Sequence, residues 1–253
     1  MLYRDIAPVD EAAWEEIDET AVEVLKQFLS ARKVLHVQGP MGLDYNAVPE
    51  GRLVNVGDKE DVCFGDYQVL PLTETRIQFE MDRWELDNVK RGAKDVDYEP
   101  LEKAMEKLAL FEERAVFEEL DKAKSADTLD LGSDPKEIMD SLADGVIKLR
   151  NAYVEGPLTL VVSPEAYKRI FSVETGYPLV RRIKELIGGE IVFNHVIDGA
   201  YLLPHDHEDL ELTIGRDFSI GYQAHTDKKV EFFAKESFAF RVLDEDIIIK
   251  YDL

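Results

Sequence analysis

Cysteine is nearly absent from this sequence, and it contains no long apolar run. Cys63 is the single cysteine of the 253 residues, so no disulfide can form within one chain, and a reducing compartment fits. The longest uninterrupted apolar runs are only a few residues, far short of the roughly 20 that a membrane-spanning helix needs. The acidic start MLYRDIAPVDEAAWEEIDE lacks the apolar stretch of a secretory signal. The sequence therefore predicts a cytoplasmic protein.

Basic residues are scarce relative to acidic ones. The chain contains 30 lysines and arginines and 53 aspartates and glutamates, which gives a formal net charge of −23. This balance argues against nucleic acid and against anionic membrane surfaces, because both need a clustered basic face. It favours a solvated, mutually repelling surface that can attract cations. The hydrophobic fraction of 45% is ordinary for a globular protein, so we expect a substantial core.

Common catalytic motifs are also missing, since the chain has no GxGxxG, P-loop, HExxH or GxSxG pattern. One stretch could bind a metal, namely LPHDHEDLE at 203–211, where His205 and His207 are two residues apart. Residues i and i+2 of a strand point to the same side. A metal site needs further ligands, however, and none can be assigned. The simpler interpretation is a solvated loop, so we predict no metal site and keep a His205/His207 metal enzyme as an alternative.

The order of the predicted elements favours an α+β fold rather than a regular βαβ repeat. Helical spacing predicts a helix over Asp10–Arg32, with Asp10 as its cap, and a long helix over Tyr98–Asp121. Between them, the segments RLVNV and TRIQFEM predict the two arms of a long hairpin over Arg52–Met81. That hairpin has little apolar surface of its own, so we expect it to be ordered against another chain. Mixed helices and strands follow.

Seven segments in a fixed order carry a resemblance to a known family. They are LYRDIAPVDEAAWEEIDE, RWELDNVKRG, EGP, GYPL, DGAYLL, GRDFSIGY and ESFAFRVLDEDIIIKYDL. Together they resemble the encapsulins, which are shell proteins of bacterial and archaeal nanocompartments, and the resemblance covers nearly the whole chain. It implies the fold of tailed-bacteriophage major capsid proteins. The implied parts are an N-terminal helix and arm (1–47), an extended hairpin loop (48–82), a peripheral domain with a spine helix (83–155 and 226–253) and an axial domain (156–225).

The resemblance implies a structural protein and no enzyme activity. Sixty identical subunits, or a multiple of sixty, would form a hollow icosahedral shell around a cargo enzyme. The cargo would be a ferritin-like iron oxidase or a dye-decolourising peroxidase, with roles in iron storage or oxidative stress. It would dock through a C-terminal targeting peptide. A phage or prophage major capsid protein is the alternative within the same fold.

The resemblance also implies particular site residues for the cargo peptide. They are Leu25, Phe28, Arg32, Val34, Leu35 and His36. The helix is amphipathic, and the C-terminal strands carry apolar residues at Phe232, Phe238, Phe240 and Val242. We therefore expect a groove between the helix and these strands. The alternative is that these apolar residues belong to the core.

Two further expectations follow from the resemblance. The loop of Glu174, Thr175, Gly176, Tyr177 and Pro178 matches the family loop that reaches a fivefold axis and lines a pore. Trp84 in RWELDN matches a tryptophan on which a flavin stacks in some encapsulins; otherwise it fills the base of the hairpin. Apart from that possible flavin, the sequence predicts no cofactor.

Overall fold

The structure is a computed structural model that describes residues 2–123, 127–171 and 178–253. Its helices are α1 (Glu11–Phe28), α2 (Arg83–Arg91), α3 (Glu99–Lys122), α4 (Pro135–Asn151), α5 (Pro164–Phe171) and α6 (Leu179–Ile187). Its strands are β1 (His36–Gln38), β2 (Ala47–Lys59), β3 (Val62–Pro71), β4 (Thr73–Asp82), β5 (Asp127–Asp130), β6 (Leu158–Val162), β7 (Ile191–Phe193), β8 (Ala200–Pro204), β9 (Leu210–His225), β10 (Lys229–Val242) and β11 (Ile249–Asp252). In these ranges, no helix combines the length and apolarity that a membrane crossing requires.

Helix α1 begins where the sequence predicts and ends earlier. The side chain of Asp10 caps it by accepting a hydrogen bond from the amide of Ala12 at 3.2 Å. The predicted helix ran on to Arg32, but the next residues leave the helical path and form a 3₁₀ turn over Ala31–Lys33. The reason is a competing acceptor, since a carboxylate of α3 takes the Ala31 amide at 2.8 Å. The chain after α1 is thereby fixed to α3.

The strands of the described residues form three sheets. The first has the order β1-β9-β10-β4 and contains the longest pairing, between antiparallel β9 and β10. The second has the order β5-β11-β8-β6-β7 and is covered by α4, α5 and α6. The third is the two-stranded hairpin β2-β3. This mixture of helices with mostly antiparallel sheets confirms the predicted α+β class.

Helix α3 joins two hydrophobic cores, as a spine would. Leu101 and Met105 in its first half belong to the core formed with α1, α2, β4 and β10. Phe117 and Leu120 in its second half belong to the core formed with α4, α5, α6 and the five-stranded sheet. One continuous helix therefore holds both halves of the molecule in register.

The long hairpin differs from its prediction. Its arms are β2 and β3, which pair with each other at Leu53↔Tyr67 and Val54↔Asp66. The segment TRIQFEM lies in β4 and pairs instead with β10, at Phe79↔Phe232 among other positions. The reason is burial, because the apolar face of β4 packs into a core, where the rings of Phe79 and Phe232 stack at 5.4 Å. The predicted range 48–82 therefore ends in a strand of the body.

Strand pairing also crosses the predicted boundaries between the peripheral and axial ranges. Strand β11, from the predicted peripheral range, pairs with β8 of the predicted axial range. Strand β9, from the axial range, pairs with β10 along most of its length. Gly199 permits the close approach of the first pair, because it has a φ of 80° and a Cβ there would overlap the carbonyl oxygen of Tyr251.

Candidate functional site

An open groove runs between α1 and β9. One part has a cavity volume of about 380 Å³ and extends from the N-terminal residues to the middle of α1. The other has a volume of about 400 Å³ and extends to the end of α1. Val22, Leu25 and Phe218 line both parts, so the two cavities are continuous. From Asp18 to Leu29 the groove follows eleven helical steps, or about 16 Å.

The groove exists because α1 buries only one side. Ala13, Trp14, Ile17 and Ala21 face the core at helical spacing, and the ring of Trp14 meets Phe232 edge-on at 5.3 Å. Val22 lies beside this stripe and is 45% exposed. The helix therefore leaves apolar surface open next to the sheet.

A buried ion-pair network forms the floor of the groove. The guanidinium of Arg32 lies 4.8 Å from the centre of the Phe218 ring. It donates to Glu112 of α3 at 2.6 and 2.8 Å, to Glu236 of β10 at 3.3 Å, and to Asp217 of β9 at 2.8 Å. Thr75 of β4 donates to Glu236 at 3.4 Å. The network thus ties the segment after α1 to α3 and to three strands.

A second buried cluster fixes the same segment to the axial range. Glu113 of α3 accepts hydrogen bonds from the Ser30 hydroxyl at 2.5 Å and from the Ala31 amide at 2.8 Å. Asn194 donates to the same carboxylate at 2.7 Å. Each of these groups is buried, so every partner is needed to satisfy the others.

Burial changes the proton affinity of two of these carboxylates. Burial raises the pKa of Glu113 to about 7, while hydrogen bonds from Ser30 and Ala31 act in the opposite direction. The pKa of Glu236 is raised well above its ordinary value, first by burial and then by the charge and hydrogen bond of Glu112. Burial and the neighbouring Glu112 carboxylate thus favour the protonated form of Glu236, while the charge of Arg32 acts in the opposite direction.

The structure brings only some of the predicted docking residues together. Leu25 lines the groove, and Arg32 forms part of its floor. Phe28 is half-buried at the end of α1, where its ring lies 4.7 Å from that of His195. Val34 and Leu35, by contrast, are 1% and 4% exposed and belong to the core, as the alternative interpretation held.

His36 lies away from the groove lining. Its Nδ1 is 2.8 Å from a carboxylate oxygen of Asp206, on the loop before β9.

Sequence reasoning missed Val22 and Phe218, which line the groove on both of its sides. Val22 could have been found from its position one turn before Leu25 and Lys26, whereas Phe218 depends on a tertiary contact that no local pattern reveals.

The prediction that the C-terminal strands form the second wall of the groove is wrong. Phe232, Phe238 and Phe240 of β10 are buried in the cores, at 0%, 3% and 9% exposure. Val242 is half-buried and packs against one of the same cores. They face inward because β10 is a central strand between β9 and β4, covered by α3, and Trp14 of α1 contacts Phe232. The groove is therefore walled by β9.

The histidines at 205 and 207 are held separately. The Nδ1 of His205 lies 3.2 Å from the hydroxyl of Thr159, and that of His207 lies 3.6 Å from a carboxylate oxygen of Asp209. No three histidine, cysteine, aspartate or glutamate residues of the described chain are placed to hold a metal ion. This arrangement is that of a polar loop between β8 and β9.

Trp84 lies in the first turn of α2 and does not fill the base of the hairpin. Its amide donates to the Asp82 cap at 2.7 Å, and its side chain is 66% exposed. The guanidinium of Arg91 lies 5.3 Å from the ring centre. An indole this exposed fits the stacking part of the flavin prediction.

Most of the predicted pore loop lies outside the described residues. Glu174, Thr175, Gly176 and Tyr177 belong to that part of the chain, and Pro178 is the residue before α6. The pore assignment stays a prediction.

Comparison with known proteins places the chain in a family. Residues 1–239 match the family described as encapsulating protein for peroxidase. The chain is 37% identical over 249 residues to the type 1 encapsulin shell protein of Mycolicibacterium paratuberculosis, with 94% of each chain covered. A virus-like particle from Pyrococcus furiosus superposes with a TM-score of 0.72 at 20% identity, covering 94% of this chain and 98% of that one. The mature capsid of bacteriophage PhiM1 gives a TM-score of 0.54 at 12% identity, covering 87% and 86%.

The chain belongs to the encapsulin family. It is a structural shell subunit, so the alternative of a His205/His207 metal enzyme is wrong. The fold is that of phage capsid proteins, as predicted. The phage likeness shows the fold alone, whereas the sequence relatives are encapsulins.

We expect Glu236→Gln to make the stability of the subunit less sensitive to alkaline pH. A carboxyl whose pKa is raised by folding stabilises the native state fully below its unfolded pKa, near 4.5, and this contribution is lost as the pH rises through the folded pKa. Glutamine mimics the protonated form. We therefore expect the variant to melt above the unmodified chain at pH 9, where the native carboxyl has lost its proton.

The measurement is thermal unfolding of dissociated subunits at pH 5, 7 and 9. The two proteins should melt alike at pH 5, where the carboxyl is protonated. Glu208→Gln, which removes an exposed carboxylate, serves as the matched control and should follow the unmodified chain throughout. Equal gains at every pH would show that the proton on Glu236 is irrelevant.

Proposed function

We propose that this shell subunit encloses a cargo enzyme by binding a short peptide tail of that enzyme in the groove between α1 and β9. The observation that carries the proposal is the open apolar lining of Val22, Leu25 and Phe218. An extended chain rises about 3.3 Å per residue, so a groove of about 16 Å takes roughly five residues. Burying about 300 Å² of apolar surface would contribute roughly 7 kcal/mol before the tail is ordered. Each site then binds weakly, and a cargo oligomer with several tails binds firmly.

The cargo that fits best is a peroxidase, and the support comes from the family description. A dye-decolourising peroxidase would give the compartment a role in oxidative stress. A ferritin-like iron oxidase is the second candidate and would give it a role in iron storage. The compartment belongs in the cytoplasm, where its single cysteine stays reduced.

Assembly into a closed shell is proposed to depend on the β2-β3 hairpin. Seven of its apolar residues are exposed, and an isolated two-stranded hairpin is marginal in water. They are Leu53, Val54, Val56, Val62, Phe64, Tyr67 and Val69. Closed symmetric assembly gives each hairpin an identical neighbour on which to pack, in a shell of sixty subunits or a multiple.

Two further parts of the proposal concern small molecules. The loop at 174–178 lines a pore through which ions enter, and the negative charge of the chain favours cations there. The exposed indole of Trp84 offers a stacking surface to a flavin, which would supply redox chemistry to the enclosed enzyme.

Val56→Asp combined with Tyr67→Asp should block assembly without unfolding the body. Both side chains are exposed on the hairpin and lie outside the two cores, so charge there acts on the neighbour and not on the subunit. We expect soluble subunits in place of shells by size-exclusion chromatography. The control exchanges two charges at the hairpin tip, Lys59→Asp with Asp61→Lys, and should assemble. Intact shells from the double aspartate variant would contradict a role of this surface in assembly.

Val22→Asp should empty the shells while leaving them intact. The substitution places a carboxylate in the apolar lining, and we expect cargo content to fall at least tenfold, since losing one buried aliphatic contact costs about 1.5–3 kcal/mol. Gln27→Asp adds the same charge to an exposed position of α1 that does not line the groove, and it should load normally. The measurement is the ratio of cargo to shell protein in purified particles from cells that co-express both. Equal cargo content in the two variants would place the tail elsewhere.

A further inference from the structure

Two lysines without a carboxylate partner meet at one end of the groove. Lys26 and Lys33 both line the part that extends beyond Leu29. The ammonium of Lys33 donates to the backbone carbonyl of Lys26 at 2.9 Å, which holds the Lys33 side chain against the last turn of α1. Neither ammonium takes part in any ion pair of the described residues. Each therefore has donors to offer a ligand.

The other charges of the groove are compensated. Arg4 pairs with Asp18 at 2.6 Å at the opposite end. Arg32 is paired with Asp217 and with Glu112. The end at Lys26 and Lys33 is thus a local positive site in a chain with a net charge of −23.

The exposed surface of α1 is acidic on the N-terminal side of Val22. Glu15 and Glu19 are exposed there, one to two turns before Val22. An anionic group would be repelled there and attracted at the lysines, so a bound chain meets a gradient of charge along the groove. The apolar lining is common to the whole length and gives no direction by itself.

We propose that the groove binds a cargo tail in one orientation, with aspartate, glutamate or a terminal carboxylate of the tail at Lys26 and Lys33. This inference rests on the proposed docking function and adds the chemistry of the tail to it. Aliphatic side chains of the tail lie along Val22, Leu25 and Phe218, and the carboxylates select which end of the tail reaches the lysines.

The experiment uses assembled shells and a fluorescent reporter protein that carries a randomised ten-residue C-terminal tail. Shells of the unmodified chain and of the Lys26→Glu, Lys33→Glu variant are co-expressed with the same reporter library, purified, and the enclosed tails are sequenced. The control is Lys94→Glu with Lys107→Glu, which makes the same change in net charge at exposed lysines that line neither part of the groove.

The unmodified and control shells should enrich aliphatic tails that carry acidic residues at one end, by about tenfold over the starting library. The Lys26→Glu, Lys33→Glu shells should lose that enrichment and favour basic tails of the same aliphatic pattern. For one selected acidic tail, loading of the unmodified shells should fall several-fold between 50 and 500 mM salt, because exposed ion pairs are screened.

Each contrary outcome has a separate meaning. Identical tails selected by all three shells would overturn the orientation while leaving peptide docking in place. No enrichment of any tail would remove the docking function itself. Failure of the Lys26→Glu, Lys33→Glu chain to assemble, with normal assembly of the control, would assign the lysines to a contact between copies and overturn the inference.

Discussion

The burial of Arg32 among three carboxylates is the constraint on which the arrangement of the subunit depends. Glu112 is completely buried, and it would be an uncompensated charge without the guanidinium. Removing one partner of such a buried pair typically costs about 3–5 kcal/mol, so Arg32 and Glu112 must stay together. Glu236, whose pKa is raised by burial, accepts a further hydrogen bond from the same guanidinium. The end of α1, the middle of α3 and strands β9 and β10 are consequently fixed at one point. The groove is the space that this fixed geometry leaves between α1 and β9.

The ion-pair network of Arg32 lies between the groove and the strand that leads from the hairpin. On the groove side, Phe218 and Arg32 form the floor of a surface that is open to a ligand. Beside it, Thr75 binds Glu236 from β4, the strand that follows the hairpin. The body has two cores joined by one spine helix, and the fully described β2-β3 hairpin contributes no residue to either core, although its Val48 is buried. Under the proposed assembly, the hairpin is therefore the part that can adapt to a neighbouring subunit. Stability therefore belongs to the body, and the exposed apolar residues of the hairpin are available for assembly.

Much of the fold could be predicted from local pattern, and the failures have physical reasons. Asp10 caps α1 as expected, because capping depends on residues adjacent in sequence. TRIQFEM was assigned to the hairpin because alternation identifies a strand without naming its partner, and β10 lies 150 residues later. The groove was placed against β10 for the same reason, since period-two apolar residues look alike in a central strand and in an open wall. Family resemblance supplied Leu25 and Arg32, but only burial separates them from Val34 and Leu35.

The net negative charge of the chain explains why subunits can make contact only at short range, through exposed apolar residues. Each subunit carries −23, so copies brought together repel one another, and salt limits that repulsion to about 8 Å at physiological ionic strength. Within that distance, exposed apolar residues such as Val56 and Tyr67 on the hairpin can make contacts strong enough to offset the repulsion. An acidic surface of the subunit would also repel an acidic ligand that comes within about 8 Å of it. Lys26 and Lys33 remove this repulsion at one end of the apolar groove, so an acidic group of a bound tail is favoured at that end.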